Sequence, residues 1–412
     1  MEKHTRILSG LLILILGMLA CASPLGEGGD EPSSPDQVAT IVAGTLQALT
    51  SVVPDAPTGT PVPTGILPHS IYFLGRDGAT GLMQVFRIER DGVTQRQITA
   101  EPVKVDTYDV SLLDGSVAYT SNNQLLLINA DGSGRRLLVE GGPVDVNNPI
   151  LNSLTNPVFS PNAQTIAYGQ GGLNLYNLST GASNRVLETI GTDPFSGLPA
   201  PSVLYFPEKY SPDGTKILVT TAIPNSDGIS AGIYFPAADS FVQISGAENS
   251  ATCCGEPNWS LDSSALLAAS PSVGIFGSGL WRVDAVTGAA VTLLPSEAGG
   301  GNFNLAEEPY LAPDGQLYFF FATASAPEGF IDNAPLQIVR SAPDGVSGRM
   351  ILRPDTYALL NEALWSPDAG FVVIAIAPDA STYAGGRAEV TYLDGRPSVV
   401  LTPFALNMKW GP

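Results

Sequence analysis

The chain has 412 residues, 44% of them apolar, and it contains 44 glycines and 34 prolines. This composition favours many short strands joined by turns over long helices. Acidic residues outnumber basic ones by 39 to 19, which gives a formal net charge of −20. That charge argues against nucleic-acid binding, which needs Lys and Arg to displace counterions. It is compatible with cationic partners or metal ions.

Residues 1–20 have the pattern of an export signal. Lys3 and Arg6 flank the start of an apolar run that is too short to span a bilayer comfortably, and the run ends in MLAC with Cys21. This ending resembles the lipobox of bacterial lipoproteins, in which the cysteine is lipidated and becomes the mature N-terminus. The resemblance implies an extracytoplasmic protein of the bacterial cell envelope, anchored to the membrane through lipid on Cys21. An ordinary cleaved signal and an uncleaved anchor are the alternatives.

Residues 21–68 are predicted to be a tether. A small, polar stretch is followed by a predicted helix over about 35–53, with Ser34 as N-cap and Pro35 in the first turn. Its apolar residues recur at i, i+3 and i+4, so the helix could dock on the domain, pair with itself or lie on the membrane. A Pro/Thr-rich spacer follows, and the composition changes after it.

From Ile71 onward one motif recurs at intervals of about 50 residues, which is typical of repeat architectures such as propellers. Its clearest form is KYSPDGTKILVTT at 209–221: an aromatic residue, a Ser-Pro-Asp-Gly turn and a short apolar strand. Each unit continues with two more strands, so four antiparallel strands make one blade. The units begin at Val110, Phe159, Tyr210, Trp259, Leu311, Trp365 and, in truncated form, Trp410.

This motif, followed by strands such as LYNLSTG and WRVDAVTG, looks like the TolB-type propeller repeat over about residues 70–412. The resemblance implies an all-β β-propeller over 69–412. It says little about function, because the family includes periplasmic scaffolds and the propeller domains of peptidases.

The blade count follows from the order of the strands. The domain opens with strands two to four of a unit and ends with a first strand, LNMKWGP, so we predict seven four-stranded blades. The C-terminal strand then completes the first blade. Six or eight blades remain alternatives, since TolB itself implies six.

Connections on one face of such a propeller are predicted to be long, which is typical of binding surfaces. They are the stretches 143–157, 191–208, 296–309, 325–335 and 377–386. Acidic residues recur three positions before the motif aromatic, so the repeat should bring them together at the mouth of the central channel. Such oxygen ligands suit Ca²⁺ or a cationic group, although each could simply accept backbone hydrogen bonds or remain solvated. The predicted ligand-binding residues are Glu256, Glu308, Glu362 and Asn156, with Glu208 and Glu307 close by.

The sequence lacks the catalytic residues that most enzyme classes require. The histidines are His4 and His69, neither within the repeats, which leaves no candidate Ser-His-Asp triad or zinc site. The predicted function is therefore a membrane-anchored binding or scaffold module for a protein, peptide or envelope glycan. The alternative is a carboxylate-based glycan hydrolase or lyase.

Cys253 and Cys254 are adjacent and precede the repeat at Trp259. Thiols of an exported protein tend to oxidise, so the pair is a candidate vicinal disulfide, with a strained ring that is easily reduced. Two ordinary buried thiols are the alternative.

The lipobox predicts that the mature chain begins at Cys21 and carries lipid there. Mass spectrometry of the mature N-terminus checks this, with Cys21→Ser as the control that should lack lipid. An unmodified Cys21, or cleavage at another residue, would contradict the anchor.

Overall fold

The computed structural model describes residues 65–144, 149–192, 199–224, 229–245, 257–274, 277–326 and 329–412. Pro63–Pro412 form one unit by their contacts. The predicted signal peptide, tether and helix, together with Cys21, Cys253, Cys254 and Glu256, lie outside the described residues. No helix in the described ranges is long and apolar enough to cross a membrane.

The Ser-Pro-Asp-Gly motif forms the predicted turn. Asp213 Oδ1 accepts hydrogen bonds from Ser211 Oγ at 2.5 Å and from the Thr215 N–H at 3.0 Å. Gly214 has φ +71°, which a side chain would oppose. The turn therefore follows from local chemistry, and it delivers the chain from one antiparallel strand into the next.

Four-stranded antiparallel sheets dominate the described residues and fit the blades of a propeller. We divide the strands into sheets 1 to 7 in chain order, with five strands in sheet 6 and with sheets 7 and 1 joined. The strand that carries each unit's motif aromatic or its equivalent is called the inner strand, and the last strand in chain order is called the outermost strand. Sheet 1 contains β1 (Ile71–Arg76), β2 (Met83–Ile88) and β3 (Gln95–Gln97). Sheet 2 contains β4 (Val105–Val110), β5 (Val117–Ser121), β6 (Gln124–Ile128) and β7 (Arg136–Glu140). Sheet 3 contains β8 (Thr155–Phe159), β9 (Thr165–Gly169), β10 (Gly172–Asn177) and β11 (Ser183–Glu188).

The later sheets repeat this order. After a hairpin of β12 (Ile190–Thr192) and β13 (Pro199–Pro201), sheet 4 contains β14 (Leu204–Tyr210), β15 (Ile217–Ala222), β16 (Ile229–Phe235) and β17 (Ser240–Gln243). Sheet 5 contains β18 (Asn258–Trp259), β19 (Ala265–Ser270), β20 (Gly279–Asp284) and β21 (Ala290–Leu294). Sheet 6 contains β22 (Glu297–Gly299), β23 (Asn302–Leu311), β24 (Leu317–Ser325), β25 (Gln337–Ser341) and β26 (Met350–Ile351). Sheet 7 contains β27 (Leu360–Trp365), β28 (Phe371–Ile376), β29 (Gly386–Tyr392) and β30 (Val399–Trp410). The described helix α1 (Pro149–Asn152) is a single turn.

Strand β30 belongs to two sheets. Its first half pairs with β29 as the outermost strand of sheet 7, and its second half pairs with β1. In that second half Trp410 lies opposite Ile71, so the C-terminal residues supply the inner strand that sheet 1 lacks, as the sequence predicted. Sheets 7 and 1 thereby form one continuous seven-stranded sheet.

Apolar clusters lie between successive sheets. In β1 the side chains alternate: Tyr72 and Leu74 pack toward sheet 2, and Ile71 and Phe73 pack toward sheet 7. Equivalent clusters lie between all the remaining pairs of consecutive sheets. Each sheet therefore buries both faces, which an isolated four-stranded sheet cannot do.

Two predicted connections are partly strand. The stretch 296–309 was expected to be a long loop, but β22 and β23 form a hairpin there, with Gly299, Gly300 and Gly301 at φ +90°, +63° and +78° in its turn. The stretch 191–208 includes the β12–β13 hairpin and the start of β14. Glycine adopts positive φ readily, so the chain reverses direction at Gly299–Gly301. The pairing of β23 with β22 therefore continues into the stretch that was expected to be a loop.

Deleting residues 405–412 should destabilise the whole domain, because β1 loses its inner partner and Trp410 loses its packing. We expect a loss of several kcal/mol in the free energy of unfolding. Trp410→Phe, which keeps most of the packing, should cost less. Chemical denaturation measures both, and a truncated chain as stable as the full chain would disprove this closure.

Candidate functional site at the inner strands

The predicted site residues that the structure describes lie on the inner strands of their sheets. The strands β4, β8, β14, β23 and β27 each show a register shift against their partner at nearly the same place. The second half of β30 shows one as well. Asn156, Glu308 and Asn407, each three residues before its motif aromatic, have φ of 48°, 50° and 54°. The repeat thus places a bulge at equivalent positions, as the spacing implied.

Proline lies beside several of these bulges. Pro157 follows Asn156, Pro309 follows Glu308, and Pro207 precedes Glu208. An innermost strand has a free edge, and proline removes an N–H donor that would otherwise need a partner there. The Glu-Pro and Asn-Pro pairs of the repeat therefore have a structural explanation as well as a functional one.

Glu308 and Glu362 both take part in contacts between inner strands. The Glu308 side chain is buried, and its main-chain carbonyl accepts a hydrogen bond from the Trp365 indole N–H at 2.8 Å. A Glu362 carboxylate oxygen accepts the backbone N–H of Met408 in β30. Glu362 thus supports the closure between sheets 7 and 1, a role that sequence reasoning did not assign.

Asn156 and Glu208 lie at the corresponding places in sheets 3 and 4. The Asn156 N–H donates to Thr107 Oγ1 at 3.1 Å, which links β8 to β4. Glu208 is partly buried at the bulge of β14, next to Lys209. Lys209 Nζ donates to Asn258 Oδ1 of sheet 5 at 3.0 Å.

Two lysines on inner strands were not predicted as part of this region. Lys409 forms an ion pair with Asp109 at 2.9 Å, and the other oxygen of Asp109 accepts the Phe159 N–H at 2.7 Å. Lys209 and Lys409 bring positive charge among the inner strands, so the region is mixed in charge rather than uniformly acidic. Their position in the sequence could have predicted that they lie on inner strands, because both lysines directly precede a motif aromatic.

Glu307 has a strongly perturbed carboxyl group. Its side chain is partly buried, and this loss of hydration together with the charge of Asp332 raises the pKa of Glu307 to about 8. Glu307 lies on β23, and Asp332 lies in the connection between β24 and β25. That connection is held by backbone pairing of Ile331 with Val273 of sheet 5. At neutral pH Glu307 is therefore largely protonated.

The structure describes five of the six predicted ligand-binding residues, Glu256 being the exception. Within the described ranges, no group of three or more His, Cys, Asp or Glu side chains is arranged to hold a metal ion. Ca²⁺ binding stays a prediction, since the proposed cluster includes Glu256.

Connections differ in length between the two faces, as predicted. Turns from the first to the second strand and from the third to the fourth are short, as in 160–164 and 285–289. Connections on the opposite face include 141–154, 326–336 and 377–385. We call this opposite side the long-connection face, and Asp332 belongs to it.

No protein-family model and no curated protein matches the chain. Solved structures do. A puromycin-hydrolyzing peptidase of Mycobacterium tuberculosis is similar with a TM-score of 0.54 at 13% identity, over 82% of this chain and 52% of that one. An oligogalacturonate lyase in complex with manganese is similar with a TM-score of 0.51 at 13% identity, over 81% of this chain and 84% of that one.

TolB from Acinetobacter baumannii is also similar, with a TM-score of 0.43 at 16% identity, over 93% of this chain and 74% of that one. TolB proteins are thus among the solved structures that resemble this chain, as the repeat motif predicted. Identities this low concern the fold alone, and proteins of one fold differ widely in function.

The raised pKa of Glu307 predicts a specific pH dependence of stability. The folded state holds a proton that the unfolded state, with an ordinary pKa of 4.5, has released, so stability should fall as pH rises from about 5 to 8. Glu307→Gln should remove most of this loss, which is up to about 5 kcal/mol for a pKa raised from 4.5 to about 8. Denaturation at several pH values measures it, with exposed Glu297→Gln as control. Equal slopes for both variants would contradict the assignment.

Proposed function

We propose that the chain is a lipid-anchored, extracytoplasmic seven-bladed β-propeller that binds a protein, peptide or envelope glycan through its long-connection face. Seven four-stranded groups that pack in cyclic order, with β30 shared by the last and the first, support the blade count. The lipobox-like MLAC supports the anchor. The TolB-like repeat agrees with an envelope location and with a binding role rather than a particular chemistry.

The observation that carries this proposal is the Glu307–Asp332 pair. Burial, and to a smaller degree the charge of Asp332, raises the pKa of Glu307 to about 8, so ionising Glu307 in this place is costly, and a cationic group beside it would offset that cost. Glu307 directly precedes Glu308 and lies on the longest inner strand, while Asp332 comes from the long-connection face. The ligand we propose therefore presents a positive group, such as a lysine or arginine side chain or Ca²⁺, to this side of the channel.

The test uses the mature protein as bait in envelope extract, followed by affinity measurement with each captured component and with Ca²⁺. Glu307→Gln combined with Glu362→Gln should weaken binding at least tenfold, because the variant keeps side-chain size but removes the carboxyl groups that would ionise and pair with a bound cation. Asp314→Asn, in a short turn on the opposite face of sheet 6, is the matched control and should bind normally.

Unchanged binding by the double variant would place the interaction elsewhere and refute this site.

A second candidate, a carboxylate-based glycan hydrolase or lyase, is favoured by the same pair. A protonated carboxyl beside an ionised one is the arrangement used for acid–base cleavage of glycans. Chain cleavage of a glycan that Glu307→Gln abolishes would support that alternative over the binding module.

A further inference from the structure

Exposed large apolar side chains occur on the outermost strands of three consecutive sheets, and others are scattered over the described surface. These strands are β21 of sheet 5, β26 of sheet 6 and the first half of β30 in sheet 7. We call this surface the apolar outer wall. Its exposed members are Val291 (62% exposed), Met350 (47%), Ile351 (56%), Val399 (38%) and Val400 (52%).

The outermost strands of the other sheets differ. Within the described residues, β3, β11 and β17 have no exposed large apolar side chain, and β7 has only Leu137. β3, β7 and β11 also carry charged residues, whereas the sequences AVTLL of β21, MI of β26 and VVLTPFA at 399–405 carry none. The apolar outer wall is therefore a property of one side of the domain and not of the repeat.

Arginines accompany the apolar residues. In the antiparallel register Arg282 lies opposite Val291, and Arg340 lies opposite Met350. Arg349 directly precedes Met350, and its guanidinium lies 3.9 Å from the ring centre of Phe321. An uncharged apolar strip bordered by arginines contrasts with a chain whose formal net charge is −20.

We propose that the apolar outer wall rests on a membrane surface that contains anionic lipid. The proposal extends the proposed lipid anchor by specifying which side of the domain meets the bilayer. Exposed Ile351 and Val400 can enter the headgroup boundary, where apolar burial is favourable. Arginines beside them attract anionic headgroups. The acidic remainder of the domain is repelled by the same charge, so the orientation follows from electrostatics.

A second copy of the chain fits this surface less well. A two-fold symmetric contact places the same patch of both copies face to face. Arg282, Arg340 and Arg349 of one copy would then approach their counterparts. Glu389, which lies opposite Val400, is already paired with Arg387 at 2.8 Å and would not separate them. Anionic lipid headgroups neutralise these arginines.

The test places an environment-sensitive nitrobenzoxadiazole label on the mature, lipidated protein. Ile351→Cys and Val400→Cys are labelled separately in a Cys253→Ser, Cys254→Ser background, and Leu137→Cys on β7 is the matched control. Vesicles consist of phosphatidylethanolamine with phosphatidylglycerol, or of phosphatidylcholine alone. We expect severalfold brighter labels at 351 and 400 with the anionic vesicles and no change at 137.

The arginines are tested in the same assay. Arg282→Gln and Arg340→Gln should each reduce the labelled fraction in contact with anionic vesicles by about fivefold at limiting lipid, as expected for the loss of one basic residue near an anionic surface. Arg136→Gln on β7 is the control and should have no effect. Circular dichroism checks that each variant is folded.

Three results would overturn the proposal. The first is an equal fluorescence response of the labels at 137 and 351. The second is brightening without vesicles that depends on protein concentration, which indicates a second copy. The third is a vesicle response that the arginine variants leave unchanged. Flotation separates the anchor from the docking. A chain that floats with phosphatidylcholine vesicles but shows no response with anionic ones has the anchor and refutes the docking. If the mature chain is isolated without lipid on Cys21 and its label at 351 still responds to anionic vesicles, the docking is supported and the anchor is refuted.

Discussion

Pairing of the second half of β30 with β1 is the constraint on which the rest of the described structure depends. Without it sheet 1 has no inner strand, and sheets 7 and 1 lose the backbone pairing across their junction. The cluster between them contains Ile71, Phe73 and Val390, all buried. Because every sheet buries both faces against neighbours, exposing one junction affects two sheets at once.

Hydrogen bonds between inner strands reinforce this arrangement. The Trp410 indole N–H donates to the Trp365 carbonyl, and the Trp365 indole N–H donates to the Glu308 carbonyl, both at 2.8 Å. Trp259 makes the same kind of bond to the Lys209 carbonyl at 3.3 Å. The motif tryptophans therefore contribute apolar packing and also a directed bond to the preceding inner strand. Each buried donor must be satisfied, so these bonds fix the relative height of neighbouring sheets.

Local chemistry made much of the fold predictable. The turn at Ser211–Gly214, the strand order within a unit and the pairing of the C-terminal residues with β1 all followed from spacing and turn composition. The strand at 302–309 was missed, because the triple glycine was taken for a loop and not for a hairpin turn. Repeat equivalence placed Asn156, Glu308 and Glu362 at related positions on inner strands.

Chemistry at the site was less predictable than position. Lys409 and Asp109 are 300 residues apart in the chain, and the sequence around each residue does not predict their ion pair. The acceptor role of Glu362 toward the Met408 N–H depends on where β30 bends, which a one-dimensional pattern does not contain. The effect of Asp332 on Glu307 likewise depends on a connection whose path is set by pairing with sheet 5.

The shared strand has a consequence for biogenesis. Ser70 and Pro412, which are hydrogen-bonded across this junction, are separated by 342 positions in the chain. Contacts of such long sequence separation form late, because the entropy of closing so large a loop must be met first. The first sheet to be synthesised therefore stays incomplete until β30 has followed.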